Sequence, residues 1–205
     1  MFNLGTFLVR RSRRVMYVVC SGQIDQVEIE EVNPLCSIMR VPLRHKNGSE
    51  IKYFEYEPFI GEVYLKCLQG LSAAGWKDNI ETIVSYNWNS GLVACELAKF
   101  LAAPHVHLVL ALGKSRLASG ESEKKVNSAW IAAEEKVFSE ADCVVASSTN
   151  EAEEIKRMYP GCQSDKIACV NLGVDVDVFS PRPRSVSDHV CWSSRRFAQR
   201  APAFS

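Results

Sequence analysis

The stretch VNSAWIAAEEKVFSEADCVVASSTNEAEEI, Val126 to Ile155, carries two helix signals separated by a strand signal. Val126, Ala129, Trp130, Ala133, Val137 and Ala141 recur at helical spacing with Glu and Lys opposite, which predicts an amphipathic helix. Cys143–Ser147 is a short apolar, β-branched run, as expected of a buried strand. Ser148 and Glu151 then stand at capping-box spacing, where each can satisfy an orphan amide of the next helix. Pro160-Gly161 ends that helix.

The same alternation extends in both directions. Val15–Cys20, Ser37–Val41, Thr82–Tyr86, Val106–Leu112 and Ile167–Leu172 read as further strands, mostly continuous apolar runs that suit a parallel sheet. Ile60, Val63, Tyr64, Cys67, Leu68 and Leu71 form one helical stripe behind Pro58, and another helix follows Asn89-Ser90-Gly91 and ends before Pro104. Helices alternating with strands imply right-handed crossovers and a doubly wound, Rossmann-like α/β domain with helices on both faces of a parallel sheet. Ligands of such sheets lie beyond the carboxyl ends of the strands. That singles out three expected loops: Asn87–Gly91, Gly113–Gly120 and Gly173–Phe179.

The boundaries follow from composition. Residues 1–14 read as a basic, disordered leader, 15–181 as the domain, and 182–205 as a disordered tail rich in Arg and Ser. Lys+Arg and Asp+Glu are equal at 24 each, so no overall field favours nucleic acid. The apolar region Leu92–Leu112 is broken by Glu96, Lys99 and Pro104, which argues against a membrane span. None of the eight cysteines forms a C-x-x-C pair, so they read as free thiols of a reducing, cytoplasmic compartment.

Several motifs stop short of a chemistry. Gly113-Lys114-Ser115 resembles the end of a phosphate-binding loop, but Leu108 stands where its first glycine belongs. No dinucleotide fingerprint follows a strand, which argues against an oxidoreductase and implies no cofactor. His105 and His107 share a strand face without an acidic or thiol partner nearby in sequence; a surface or hydrogen-bonded role is expected, and no metal site.

Taken in order, SYNWNSG (Ser85–Gly91), LALGKSR (Leu110–Arg116), Glu134 to Ala141-Asp142, and Gly173-Val174-Asp175 to Phe179 and Pro181 resemble the N-terminal half of family-4 glycosyltransferases. The resemblance is in particular to the branch of sucrose-phosphate synthases and mycothiol-type inositol-phosphate transferases. The resemblance implies one Rossmann-like half of a GT-B fold, the acceptor-side half, with Gly173, Asp175 and Phe179 in the strap to a nucleotide-sugar domain. It implies transfer of a hexose from a nucleotide sugar to a sugar or cyclitol phosphate, with retention. A companion chain is one possible source of the second domain.

By the same resemblance, Trp88, Asn89, Lys114, Arg116 and Glu134 are the candidate acceptor-binding residues. Each has a plainer alternative: Trp88 simply packs, Lys114 and Arg116 form a solvated basic loop, and Glu134 is a surface carboxylate. The chain also departs from the family pattern. The family's opening strand and glycine-rich loop are not found, Tyr86 and Leu110 replace histidines, and Ala129-Trp130 replaces basic residues. Leucine cannot shuttle a proton. The chain alone is therefore expected to lack turnover, and a non-catalytic module binding a sugar phosphate or a protein is the rival expectation. No catalytic residue is assigned.

Overall fold

A computed structural model describes residues 4–45, 47–49, 51, 55–122, 126–171 and 173. The chain runs α1 (Leu4–Arg10), β1 (Val15–Ser21), β2 (Glu28–Asn33), β3 (Cys36–Pro42), α2 (Ile60–Ala73), β4 (Ile83–Tyr86) and α3 (Asn87–Leu101). It continues through β5 (His105–Leu108), α4 (Gly113–Ala118), α5 (Ser128–Glu140), β6 (Cys143–Ala146), α6 (Thr149–Met158) and β7 (Ile167–Cys169). A parallel sheet of order β4-β5-β6-β7 is flanked by helices, as the alternation predicts. A second sheet has order β1-β3-β2, with β1 parallel and β2 antiparallel to β3. Met16 of β1 and Ile83 of β4 pack on the same apolar cluster, yet their strands lie in separate sheets. Arg13 and Glu81, just before those two strands, form an ion pair at 3.2 Å.

Residues Leu4–Arg10, expected as part of a disordered leader, are helical. Leu4, Phe7 and Leu8 recur at i, i+3 and i+4, and Gly5 is buried where a β-carbon would collide with the Tyr17 ring of β1. Strand β2 is absent from the expected set: Glu-Ile-Glu-Glu-Val-Asn is wholly exposed and carries no buried face to generate a pattern. Its three glutamates suit an edge strand that must not recruit another chain. Two expected strands are also shorter than foreseen. β5 leaves the ladder after Leu108 and β7 after Cys169, each followed by one further backbone bond, Val109 to Val145 and Val170 to Ala146. The tail from 182 and the family strap residues Asp175 and Phe179 lie outside the described residues.

Burial alternates along β5 and β6, with His105, His107, Val144 and Ala146 on the fully buried positions. The apolar cluster around Val137, Phe138, Val144, Ile155 and Tyr159 joins α5, α6 and β6. Helices α3 and α5 meet at Gly91, whose missing side chain matters: a β-carbon there would lie 2.8 Å from Val137 Cγ2 and 3.2 Å from His107 Cε1. Valine is stiff at χ1 and cannot swing aside. Gly91→Ala is therefore expected to lose about 1–3 kcal/mol despite alanine's better helix propensity, read as a lower urea midpoint. A variant as stable as the parent would contradict this close approach.

Candidate functional site

Beyond the carboxyl ends of β5 and β6 lies an open cleft of about 540 Å³, lined by Leu112, Ser115, Arg116, Ser119, Glu121, Glu151 and Glu154, among others. Its walls come from α4 with the turn after it and from the first turns of α6. Among the described residues no group of three metal-ligating side chains occurs, and no helix is long and apolar enough to cross a membrane.

The segment Gly113–Gly120, expected as a loop, forms the short helix α4. A tertiary partner explains it. The Glu134 carboxylate of α5 accepts from the Gly113 amide at 2.9 and 3.1 Å, so it occupies the start of that helix, where negative charge is stabilised. Trp130 Nε1 donates to the same carboxylate at 2.7 Å, and the Tyr159 hydroxyl donates to its other oxygen. The Tyr159 oxygen in turn accepts from the Lys114 amide at 3.1 Å. Gly113 is required by packing: a β-carbon would stand 2.7 Å from Ile131 Cδ1 and 3.0 Å from Glu134 Oε2. The surface-carboxylate alternative for Glu134 is thus corrected, since the residue is 2% exposed and ties three elements together.

Burial raises the Glu134 carboxyl above the usual carboxylate range, against the bonds from Tyr159, Trp130 and Gly113 and the charge of Lys114. Burial likewise pushes the Tyr159 hydroxyl up, with the Glu134 charge adding to it. Tyr159 therefore remains a donor throughout the neutral range. Nothing in the linear sequence marked it, because it sits beside Pro160-Gly161 and reads as part of a helix stop.

The two candidate cations are already engaged. Lys114 Nζ donates to Glu135 at 2.6 Å and to the Met158 carbonyl at 2.7 Å, and lies 4.6 Å from the centre of the Tyr159 ring. Arg116 makes a two-point pair with Glu121, at 2.5 and 3.0 Å, and lies 5.4 Å from the centre of the Trp130 ring. Of the two, Arg116 lines the cleft and Lys114 does not. Ser115 reaches across the cleft to donate to Glu154 at 2.9 Å.

Trp88 is 1% exposed and lies stacked with Trp130 at 6.4 Å between ring centres, which is the packing alternative. Asn89 is buried on the same helix, α3. The segment Asn87–Gly91 is itself helical rather than a loop: Asn87 enters it at a left-handed φ of 62°, and its side chain caps the first turn by accepting from the Ser90 amide at 3.2 Å. Leu110 is 49% exposed. At α6 the Ser148 half of the capping box forms as expected, and only the reciprocal bond from Glu151 is shifted by one residue. Ser148 Oγ accepts from the Glu151 amide at 3.2 Å, while the Glu151 carboxylate serves the Ser147 amide at 2.6 Å and hydroxyl at 2.9 Å. Gly173 is exposed.

No family model matches the chain. A D-inositol 3-phosphate glycosyltransferase of Xylanimonas cellulosilytica is 26% identical over 181 residues, covering 87% of this chain and 42% of that protein. One of Kribbella flavida is 34% identical over 102 residues, covering 49% of this chain and 24% of its own length. The chain thus spans less than half the length of these curated relatives. Among solved structures, a sucrose-phosphate synthase from Thermosynechococcus elongatus superposes with a TM-score of 0.72 at 17% identity, over 87% of this chain and 43% of that one. The domain is a Rossmann-like α/β domain whose cleft lies where such folds bind ligands. In sequence and fold it resembles the N-terminal domain of GT-B, family-4 glycosyltransferases, as the ordered motifs imply.

Proposed function

We propose that the chain is the acceptor-side half of a retaining hexosyltransferase, descended from enzymes that use a nucleotide sugar as donor and a sugar or cyclitol phosphate as acceptor. The observation that carries this is the position of the cleft: it is built by α4 and the first turns of α6, parts of the same segments that match the family. In this proposal the domain extends over 15–181, with Gly173, Asp175 and Phe179 in an interdomain strap and Trp88, Asn89, Lys114, Arg116 and Glu134 shaping the acceptor side. Trp88 and Glu134 would act from within, by fixing the cleft walls, since both are buried. The described cysteines are free, which fits a cytoplasmic setting.

Retaining transfer needs the departing nucleotide diphosphate neutralised. In this proposal that work belongs to the nucleotide-sugar side, and the acceptor-side cations Lys114 and Arg116 are each bound to a carboxylate of the chain itself. The purified polypeptide is therefore expected to bind an acceptor in the cleft without turning over a nucleotide sugar. Amide shifts at Ser115, Ser119 and Glu151 on adding a cyclitol or hexose, with sugar release at background, are the expected results. Transfer or hydrolysis above background would overturn the claim of inactivity. Absence of any cleft response would favour the second reading, a non-catalytic protein-binding module, for which the exposed Leu110 in place of a proton-transferring side chain speaks.

A further inference from the structure

We infer that the cleft takes an unphosphorylated polyhydroxylated acceptor, a neutral cyclitol or sugar, and discriminates against its phosphate ester. This deepens the acceptor-side reading and rests on it. The first amide of α4 and both cationic side chains of its loop are already held by carboxylates of the chain. The Gly113 amide at the start of α4 is held by Glu134. Lys114 is held by Glu135, and Arg116 by Glu121 through two bonds. On the facing wall Ser148 Oγ accepts from the Glu151 amide in the first turn of α6, and the Glu151 carboxylate takes the Ser147 amide just before it.

Among the described residues, what remains open to a ligand is acidic and rich in acceptors. Glu121, Glu151 and Glu154 line the cleft against one guanidinium, that of Arg116. A phosphate reaching Arg116 would meet a guanidinium already paired with Glu121 and would sit among three carboxylates. A ligand hydroxyl needs only to donate: ionised carboxylates keep lone pairs beyond the bonds they accept from Ser115 and Ser147. Repulsion of this kind across a solvent-exposed cleft is modest and falls with salt, over a screening length of about 8 Å at physiological ionic strength.

The test is an amide-shift titration of the full chain with myo-inositol and with a myo-inositol monophosphate, at low and at physiological salt. The neutral probe is expected to bind ~10-fold more tightly than the phosphate ester at low salt, with the gap narrowing as salt rises. Glu121→Gln, which weakens the hold on Arg116, is expected to improve the phosphate ester by ~3–10-fold and to change the neutral probe by less than ~2-fold. A phosphate ester that binds the parent chain as tightly as the neutral probe overturns the inference while leaving the acceptor-side reading intact. Should neither probe move the cleft amides, the acceptor-side reading falls and this inference with it.

Discussion

Glu134→Ala is expected to destabilise the domain by roughly 3–5 kcal/mol, the cost typical of removing one partner from a buried, charge-assisted network. Three donors converge on this carboxylate: the Gly113 amide, the Trp130 indole N–H and the Tyr159 hydroxyl. Truncation leaves all three buried donors without their acceptor. The melting temperature should fall by roughly 10 °C, given about 2–4 °C per kcal/mol for a chain of this size. Glu134→Gln keeps the shape and one acceptor oxygen but turns an NH2 toward a donor, so a smaller loss of about 1–3 kcal/mol is expected. Tyr159→Phe, which removes one donor and the acceptor for the Lys114 amide, belongs in the same range. The comparison separates a hydrogen-bonded hub from a merely buried residue. Were Glu134→Ala within about 0.5 kcal/mol of the parent, as for an ordinary surface substitution, α4 would owe its helical form to something other than Glu134.

That hub shows where reading the chain succeeds and where it stops. Helices α2 and α5 were legible because each buries a stripe, with Val63, Cys67 and Leu71 or Ala133 and Val137 turned to the core at helical spacing, and α6 because Ser148, Glu151 and Pro160-Gly161 mark its ends. The strands of the parallel sheet were legible because apolar runs signal burial. Strand β2 was not, since its residues are all exposed and pairing with β3 is its whole reason to be extended. Helix α4 was not, since Gly-Lys-Ser-Arg-Leu-Ala has little stripe of its own and depends on a carboxylate 21 residues further along. The candidate site shows the same division. Order of motifs located Lys114, Arg116 and Glu134, but only folded geometry pairs Lys114 with Glu135, stacks Trp88 with Trp130, and brings Glu154 to Ser115. Which residues surround a ligand is partly a local matter; which charges are already neutralised is not.

Acid should unfold this domain through His105 and His107. Ser85 Oγ stands between them, 2.7 Å from His105 Nε2 and 2.8 Å from His107 Nδ1, and Cys95 Sγ lies 3.7 Å from His105 Nδ1. Both rings are almost fully buried, at 1% and 2% exposure. Burial lowers His107 to about 3, with the neighbouring His105 adding to the shift. Burial also lowers His105, against the charges of Asp142 and Glu140. A base whose folded value lies below its unfolded one binds protons preferentially in the unfolded chain, so its contribution is intact above about pH 6.5 and is lost as pH falls toward the folded value. At roughly 1.4 kcal/mol per unit, His107 alone should cost on the order of 2–3 kcal/mol between pH 6.5 and pH 4.5. Glu134 acts in the opposite sense, because its raised carboxyl is relieved of its burial penalty as it protonates. The two effects are separated by comparison with His107→Gln, which retains hydrogen-bonding capacity but cannot titrate. Unfolding free energies from urea titrations should decline with acid more gently in this variant than in the parent, whatever its stability at neutral pH. Parallel curves over that window would mean that the Ser85-centred pair does not set the acid limit, and that protonation of carboxylates elsewhere does.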